Sequence, residues 1–169
     1  RLVSRGLGDV YKRQYEKFGQ FIDGKWQKSQ NNETYEVINP ATEEILGHAS
    51  KACREDVEKA LLSSESGFKK WKNTTPWERS KVLRNIADKI REKKDILAKW
   101  MTLEVGKPLA EGVGEAGGAA DIFEWNSEET KRIYGQTVES RFSDTRVHVY
   151  YQPVAVSYTH LTLPTNSRV

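Results

Sequence analysis

Apolar residues recur at helical spacing through the middle of the chain. Between residues 54 and 70 they fall three and four positions apart, which places them on one side of a helix. The stripe consists of Val57, Ala60, Leu61, Ser64, Phe68 and Trp71. This pattern predicts a first amphipathic helix over about residues 54–70.

A second helical stretch has a marked start and a marked end. Thr75, Pro76 and Glu78 form a capping box in which Thr75 is the N-cap and Pro76 takes the first helical position. The apolar stripe is Val82, Leu83, Ile86 and Ile90, resuming after the charged residues 92–95 as Ile96, Leu97, Trp100 and Leu103. Gly106 and Pro108 follow it as stop signals. We therefore predict one helix up to Gly106 and a third over about residues 109–134, ending at Gly135.

Turn residues separate short runs of strand formers at both ends of this helical region. Asp23-Gly24 lies between β-formers, which predicts a hairpin with a type I′ turn. Residues 35–38 and 45–49 read as two strands joined by a turn containing Pro40. Apolar residues alternate again over 147–151, where Pro153 ends the pattern. The chain is thus predicted to be a single unit of mixed helix and strand.

Length and composition fit a globular domain. The chain has 169 residues, 37% of them hydrophobic, and no run of about 18 apolar residues that could cross a bilayer. Cys53 is its single cysteine, which excludes an internal disulfide and a cysteine-rich metal site. We therefore expect a cytoplasmic protein with no membrane contact. The only methionine is Met101, so we also expect the sequence to be a piece of a longer one.

Both ends of the sequence have an unusual relation to each other. Residues 9–14 can be encoded by GATGTGTATAAGAGACAG, and the reverse complement of that DNA, read from its third base, encodes residues 156–160. We interpret residues 1–14 and 155–169 as translated sequencing-adaptor sequence, and we expect one natural domain over residues 15–154. The alternative is that both ends are natural disordered termini.

The net charge of +3 does not predict nucleic-acid binding. Five of the 27 basic residues and one of the 24 acidic residues lie in the two terminal segments, which leaves 22 basic against 23 acidic residues in between. The basic balance therefore belongs to the ends and not to the domain. We expect no nucleic-acid partner.

Few side chains have the surroundings that catalysis needs. Cys53 lies near the start of the first helix without a neighbouring histidine, which favours a packing role. His48 and His148 are isolated on strands, and Glu104 and Glu111 flank a helix boundary where carboxylates are usually solvated. No glycine-rich loop follows a strand to hold a phosphate. We predict no catalytic, cofactor-binding or metal-binding residue in this chain.

The third helix contains an unusual number of glycines. Gly112, Gly114, Gly117 and Gly118 lie within it, and each interior glycine costs about 1 kcal/mol relative to alanine. One explanation is close packing against a neighbouring element, which we favour. The other is that the missing side chains leave a substrate passage beside Gly118, Asp121 and Trp125.

Three sequence motifs resemble those of the aldehyde dehydrogenase superfamily in order and spacing. The first is Ile38-Asn39-Pro40-Ala41-Thr42-Glu43, and the second is Thr102-Leu103-Glu104-Val105-Gly106-Lys107-Pro108. The third runs from Glu124-Trp125 through Glu128-Glu129 to Lys131-Arg132-Ile133-Tyr134-Gly135 and looks most like the succinate-semialdehyde dehydrogenase group. The resemblance covers about 140 residues and matches only the amino-terminal part of a family chain.

The resemblance implies a fold and a chemistry. The fold is the α/β architecture of the amino-terminal part of an aldehyde dehydrogenase, with helices flanking an incomplete nucleotide-binding domain, β-hairpins and an oligomerisation strand pair around residues 136–154. Family members oxidise an aldehyde through a cysteine thiohemiacetal, reduce NAD or NADP, and use a glutamate to activate water. None of those motif positions falls in this chain.

The resemblance also sets expectations for binding and assembly. The fragment itself is expected to bind no cofactor and to be inactive. The complete enzyme would take a small-molecule aldehyde, a semialdehyde such as succinate semialdehyde, and form a homo-oligomer. The alternative is a non-catalytic helical interaction or structural domain.

Overall fold

A computed structural model describes residues 19–153, which form six strands and four α-helices. Both segments interpreted as adaptor sequence lie outside the described residues. The order is β1 (Gln20–Ile22), β2 (Lys25–Gln27), β3 (Thr34–Ile38), β4 (Ile45–Ser50), α1 (Arg54–Trp71), α2 (Pro76–Glu92), α3 (Lys94–Val105), α4 (Leu109–Glu129), a 3₁₀ turn (Thr130–Arg132), β5 (Gln136–Glu139) and β6 (Arg146–Val149). No helix in this range is long and apolar enough to cross a membrane.

The strands form three separate antiparallel hairpins. Asp23 and Gly24 between β1 and β2 have φ angles of 52° and 73°, which confirms the predicted type I′ turn. Between β3 and β4, the Asn39 side chain accepts a hydrogen bond from the Ala41 amide at 2.9 Å, and its own amide donates to the Glu44 carbonyl at 2.9 Å. The last hairpin pairs Val138 with Val147. Its strand β6 ends at Val149, two residues before the predicted end.

The residues predicted to begin and end the helices make the expected capping contacts. The Glu78 amide donates to Thr75 Oγ1 at 3.3 Å, and the Thr75 amide donates to Glu78 Oε2 at 3.0 Å, which completes the capping box of α2. Gly106 ends α3 with a φ of 75°, the left-handed conformation that glycine adopts without strain. The first helix is confirmed over Arg54–Trp71, although Val57 and Trp71 of its stripe stay 47% and 41% exposed.

The prediction of one continuous helix up to Gly106 was wrong. The chain forms two helices, α2 and α3, which meet at Lys93 with φ −102° and ψ 11°. Residues 92–95 are all charged, so this turn has no apolar side chain to hold it straight against a neighbour. The break lets both helices pack on α4. The third helix also ends earlier than predicted, because its last turn tightens to the 3₁₀ turn.

Small residues form the contact between the helices. Ala87 of α2, Ala98 of α3, and Ala116 and Ala120 of α4 are completely buried. Gly112 lies against α3 so closely that an added Cβ would be 3.0 Å from the Ala98 carbonyl oxygen and 3.2 Å from its Cα. Close packing, the favoured explanation for the glycines, is therefore confirmed at Gly112.

Replacing this glycine should loosen the helix contact. Gly112→Val should lower the free energy of unfolding of the 169-residue chain by about 1–3 kcal/mol, because the added atoms meet the α3 backbone. The matched control is Gly117→Val, where an added Cβ has no neighbour within 4 Å among the described residues. Urea unfolding followed by circular dichroism measures both. Equal losses for the two variants would contradict the packing argument.

Candidate functional site

The three residues of the predicted passage lie on one face of α4. Gly118, Asp121 and Trp125 are separated by three and four positions, which brings them together along the helix. All three are exposed in the described part of the chain, Trp125 at 70%. An added Cβ at Gly118 would meet nothing within 4 Å there, and the same holds at Gly114 and Gly117. Close packing within residues 19–153 thus does not explain these three glycines.

Two arginines of α2 bind the polar side of α4. Arg84 donates to Glu124 and, at 3.2 Å, to Glu128. Arg91 donates to Asp121 at 2.8 Å and also to Glu124. The hydrogen bonds that Arg91 donates to Asp121 and Glu124 raise the pKa of Arg91, and the bond from Arg91 lowers the pKa of the Glu124 carboxyl. The charged side chains of these ion pairs are partly exposed, so each pair contributes little to the stability of the fold. The main effect of the network is to fix the orientation of α4 against α2.

A shallow depression lies beside this network. Asp121, Glu124, Trp125, Glu128, Glu129 and Arg132 line it. Four carboxylates would repel an anionic substrate, but all four are ion-paired: Glu129 pairs with Arg132 at 2.9 Å, and the others pair with Arg84 or Arg91. Ion pairing therefore offsets much of the negative charge of this depression. Its lining contains no cysteine, serine or threonine.

A second polar cluster, which sequence reasoning missed, surrounds Asp56 at the start of α1. Its carboxylate is 2% exposed and accepts hydrogen bonds from the Ser29 hydroxyl at 2.6 Å and the Cys53 amide at 3.1 Å. Gln20 Nε2 and the Gln30 amide also donate to it, each at 3.3 Å. The bond from Ser29 is the main cause that holds the pKa of Asp56 far below its usual range. The cluster ties the first hairpin and its following loop to α1.

Cys53 belongs to this cluster. Its Sγ donates to Asp56 Oδ2 at 3.2 Å, and the side chain is half-buried.

The other candidate residues named from the sequence lie apart from this cluster. His148 Nδ1 is 3.2 Å from Thr137 Oγ1 across the last hairpin. Partial burial raises the pKa of Glu104. In the part of the chain that the structure describes, no three His, Cys, Asp or Glu side chains are grouped to hold a metal.

Asp56 should make stability depend on pH. A carboxyl with a depressed folded-state pKa stabilises the fold above its unfolded pKa of about 3.9, and this contribution is lost as the pH falls towards the folded value. Asp56→Asn should therefore lower the thermal midpoint of the 169-residue chain at pH 7, with a difference from wild type that shrinks below about pH 4. Glu65→Gln, which removes an exposed pair with Lys69, is the control and should change little. If the thermal midpoints of wild type and Asp56→Asn differed by the same amount from pH 7 to pH 3, the role of the Asp56 carboxylate would be refuted.

The described strands form no parallel sheet, the setting in which many dinucleotides bind. Such dinucleotide sites form where the strands of a parallel sheet end and a helix begins. All three sheets within residues 19–153 are antiparallel hairpins.

Comparison with known proteins decides the family. The sequence profile described as "Aldehyde dehydrogenase family" matches residues 26–159, which is more than half of the chain. The chain belongs to the aldehyde dehydrogenase family. The matched range ends inside the segment interpreted as adaptor sequence, and the origin of that segment stays a prediction.

Several curated aldehyde dehydrogenases are similar to this family member. Glutarate-semialdehyde dehydrogenase of Pseudomonas aeruginosa is 40% identical over 137 residues, which are 81% of this chain and 28% of that protein. The NADP⁺ succinate-semialdehyde dehydrogenase of Saccharomyces cerevisiae is 43% identical over 136 residues, which are 80% and 27% of the two chains. The chain therefore spans just over a quarter of the length of these relatives.

Solved structures agree with the fold. An NADP-dependent enzyme of Escherichia coli has a TM-score of 0.73 and 38% identity, covering 79% of this chain and 28% of its own. A betaine aldehyde dehydrogenase of Staphylococcus aureus, solved with NAD⁺, has a TM-score of 0.73 and 30% identity, with 82% and 28% coverage. The expected architecture, the amino-terminal part of an aldehyde dehydrogenase fold, is confirmed.

Proposed function

We propose that this chain is the amino-terminal part of an NAD(P)-dependent aldehyde dehydrogenase that oxidises a carboxylated semialdehyde to the dicarboxylic acid. The observation that carries the proposal is the 40–43% identity to glutarate- and succinate-semialdehyde dehydrogenases over about four fifths of the chain. The third sequence motif, which looks most like the succinate-semialdehyde dehydrogenase group, supports it. The non-catalytic interaction domain has no specific observation in its favour.

The face of α4 formed by Gly118, Asp121 and Trp125 is proposed to border the substrate passage. The missing side chain at Gly118 leaves room, and Trp125 offers an apolar wall. Arg91 fixes the rotation of the helix by binding Asp121 and Glu124. These residues guide and select a substrate, and the nucleophile, the general base and the cofactor site are proposed to lie in the longer polypeptide.

The 169-residue chain is accordingly proposed to be inactive and to bind no cofactor alone. The complete protein is proposed to be a cytoplasmic homo-oligomer, with the β5–β6 hairpin in the oligomerisation region. Exposed Val138 and Val147, which pair across this hairpin, support an apolar contact there. The test of the proposed function is oxidation of carboxylated and uncharged aldehydes by the polypeptide extended with its downstream coding sequence.

A further inference from the structure

The carboxylates in the depression beside Trp125 are balanced by an equal number of cations. Four carboxylates line it, those of Asp121, Glu124, Glu128 and Glu129. The cations paired with them within 4 Å are Arg84, Arg91, Lys131 and Arg132. The formal charges of these side chains cancel, so removing any one of the cations leaves this surface with an excess negative charge.

Asp121 depends on one of these cations alone. Among the described residues, Arg91 is the only basic side chain within 4 Å of its carboxylate, and the two lie 2.8 Å apart. Glu124 also pairs with Arg84, so it keeps a partner when Arg91 is removed. Asp88, three positions before Arg91 on α2, is 3.9 Å from the other terminal nitrogen of the guanidinium. Loss of Arg91 would therefore leave the Asp121 side chain, which is 74% exposed, as an uncompensated charge.

The position of Asp121 places this charge on the proposed passage face. Asp121 follows Gly118 by three positions and precedes Trp125 by four, so it lies between them on the same side of α4. A ligand that moves along this face towards the open space at Gly118 passes Asp121. A carboxylated semialdehyde has a free carboxylate, which an unpaired Asp121 would repel.

We propose that Arg91 is a specificity-determining residue that admits an anionic semialdehyde by neutralising Asp121 on the passage face. Arg91 acts through Asp121 and touches no reacting atom. This inference rests on the proposed function, in taking the α4 face as the passage and a carboxylated aldehyde as the substrate. A purely structural role of the ion pair would differ from this one, because a shift of α4 alters the passage for every substrate, whereas charge acts on charged substrates.

Charge substitutions in the enzyme extended with its downstream coding sequence test the proposal. The quantity measured is the ratio of kcat/KM for succinate semialdehyde to kcat/KM for butanal, at an ionic strength of about 10 mM, where the Debye length is about 30 Å. Arg91→Gln should lower this ratio about threefold to tenfold, mainly through a higher KM for succinate semialdehyde. Asp121→Asn leaves an excess positive charge and should raise the ratio.

Two controls separate this local charge from other effects. The double variant, Arg91→Gln with Asp121→Asn, should return the ratio to near the wild-type value, because both charges are gone. Lys69→Gln removes a positive charge from an exposed pair with Glu65 on α1, away from the passage face, and should keep the wild-type ratio. In about 1 M potassium chloride, where the Debye length is about 3 Å, the differences between the variants and wild type should largely disappear.

The outcomes that would overturn the proposal are specific. They are equal losses with both aldehydes in Arg91→Gln, a ratio that falls in Asp121→Asn as well, or differences that persist in 1 M potassium chloride. If the wild-type extended enzyme does not prefer succinate semialdehyde to butanal, the proposed function fails and this inference fails with it. If wild type has that preference and Arg91→Gln leaves the ratio unchanged, only the role of Arg91 is contradicted.

Discussion

Extended with its downstream coding sequence, the polypeptide should oxidise succinate or glutarate semialdehyde and reduce NAD⁺ or NADP⁺, whereas the 169-residue chain should form no NAD(P)H. The difference is all or none because catalysis needs a nucleophile, a base and oxyanion donors in one place. The single thiol of the chain, Cys53, donates its hydrogen bond to Asp56 within a structural cluster. Absorbance of the reduced nicotinamide measures both polypeptides.

The choice of aldehydes makes the same experiment a test of substrate class. The kcat/KM for succinate semialdehyde should be about tenfold or more higher than that for butanal, the uncharged aldehyde of equal length. Butanal has no carboxylate, so the groups of the site that bind a carboxylate would stay unpaired. Cys53→Ser in the short chain is the control for adventitious thiol chemistry. If the short chain formed NAD(P)H and Cys53→Ser abolished that activity, the proposal that the nucleophile lies in the downstream polypeptide would be contradicted.

Gly118→Phe in the extended enzyme should lower kcat/KM for glutarate semialdehyde about tenfold to a hundredfold more than for the shorter succinate semialdehyde. The ring would enter the space that α4 leaves open beside Asp121 and Trp125. In the 169-residue chain the same substitution should leave stability nearly unchanged, since an added Cβ at Gly118 meets no described atom within 4 Å. Steady-state kinetics and thermal unfolding measure the two effects.

The neighbouring glycine provides the matched control. Gly117 is rotated about 100° around the helix axis from Gly118. An added Cβ at Gly117 also has no atom of the described residues within 4 Å. Gly117→Phe should not separate the two substrates. A uniform loss of activity with both semialdehydes for Gly118→Phe, together with a stability loss of about 1–3 kcal/mol, would assign Gly118 to helix packing in the complete enzyme.

Features set by neighbouring residues could be predicted from the sequence. The turn at Asp23-Gly24, the Thr75 capping box and the end of α3 at Gly106 each depend on a few adjacent positions. The common face of Gly118, Asp121 and Trp125 follows from helical periodicity alone. That is why these three residues could be placed on one face of α4 before their surroundings were known, while their role in a passage stays a prediction.

Features that join distant parts of the chain could not be predicted. Arg84 and Arg91 meet α4 carboxylates 30 to 44 positions away, and Asp56 meets the Ser29 hydroxyl 27 positions away. Such pairs depend on how helices and loops pack, which hydrophobic periodicity does not encode. The break at Lys93 was missed because the apolar stripe resumes at helical spacing on the far side of the charged residues 92–95.

We have proposed that this chain is the amino-terminal part of a longer semialdehyde dehydrogenase, and sequencing the source DNA past Val154 tests that proposal. We expect an open reading frame that continues, without the adaptor sequence, into a region with a cofactor-binding stretch and the cysteine and glutamate of the family's chemistry. A native stop codon close to Val154 would contradict it and leave a non-catalytic domain.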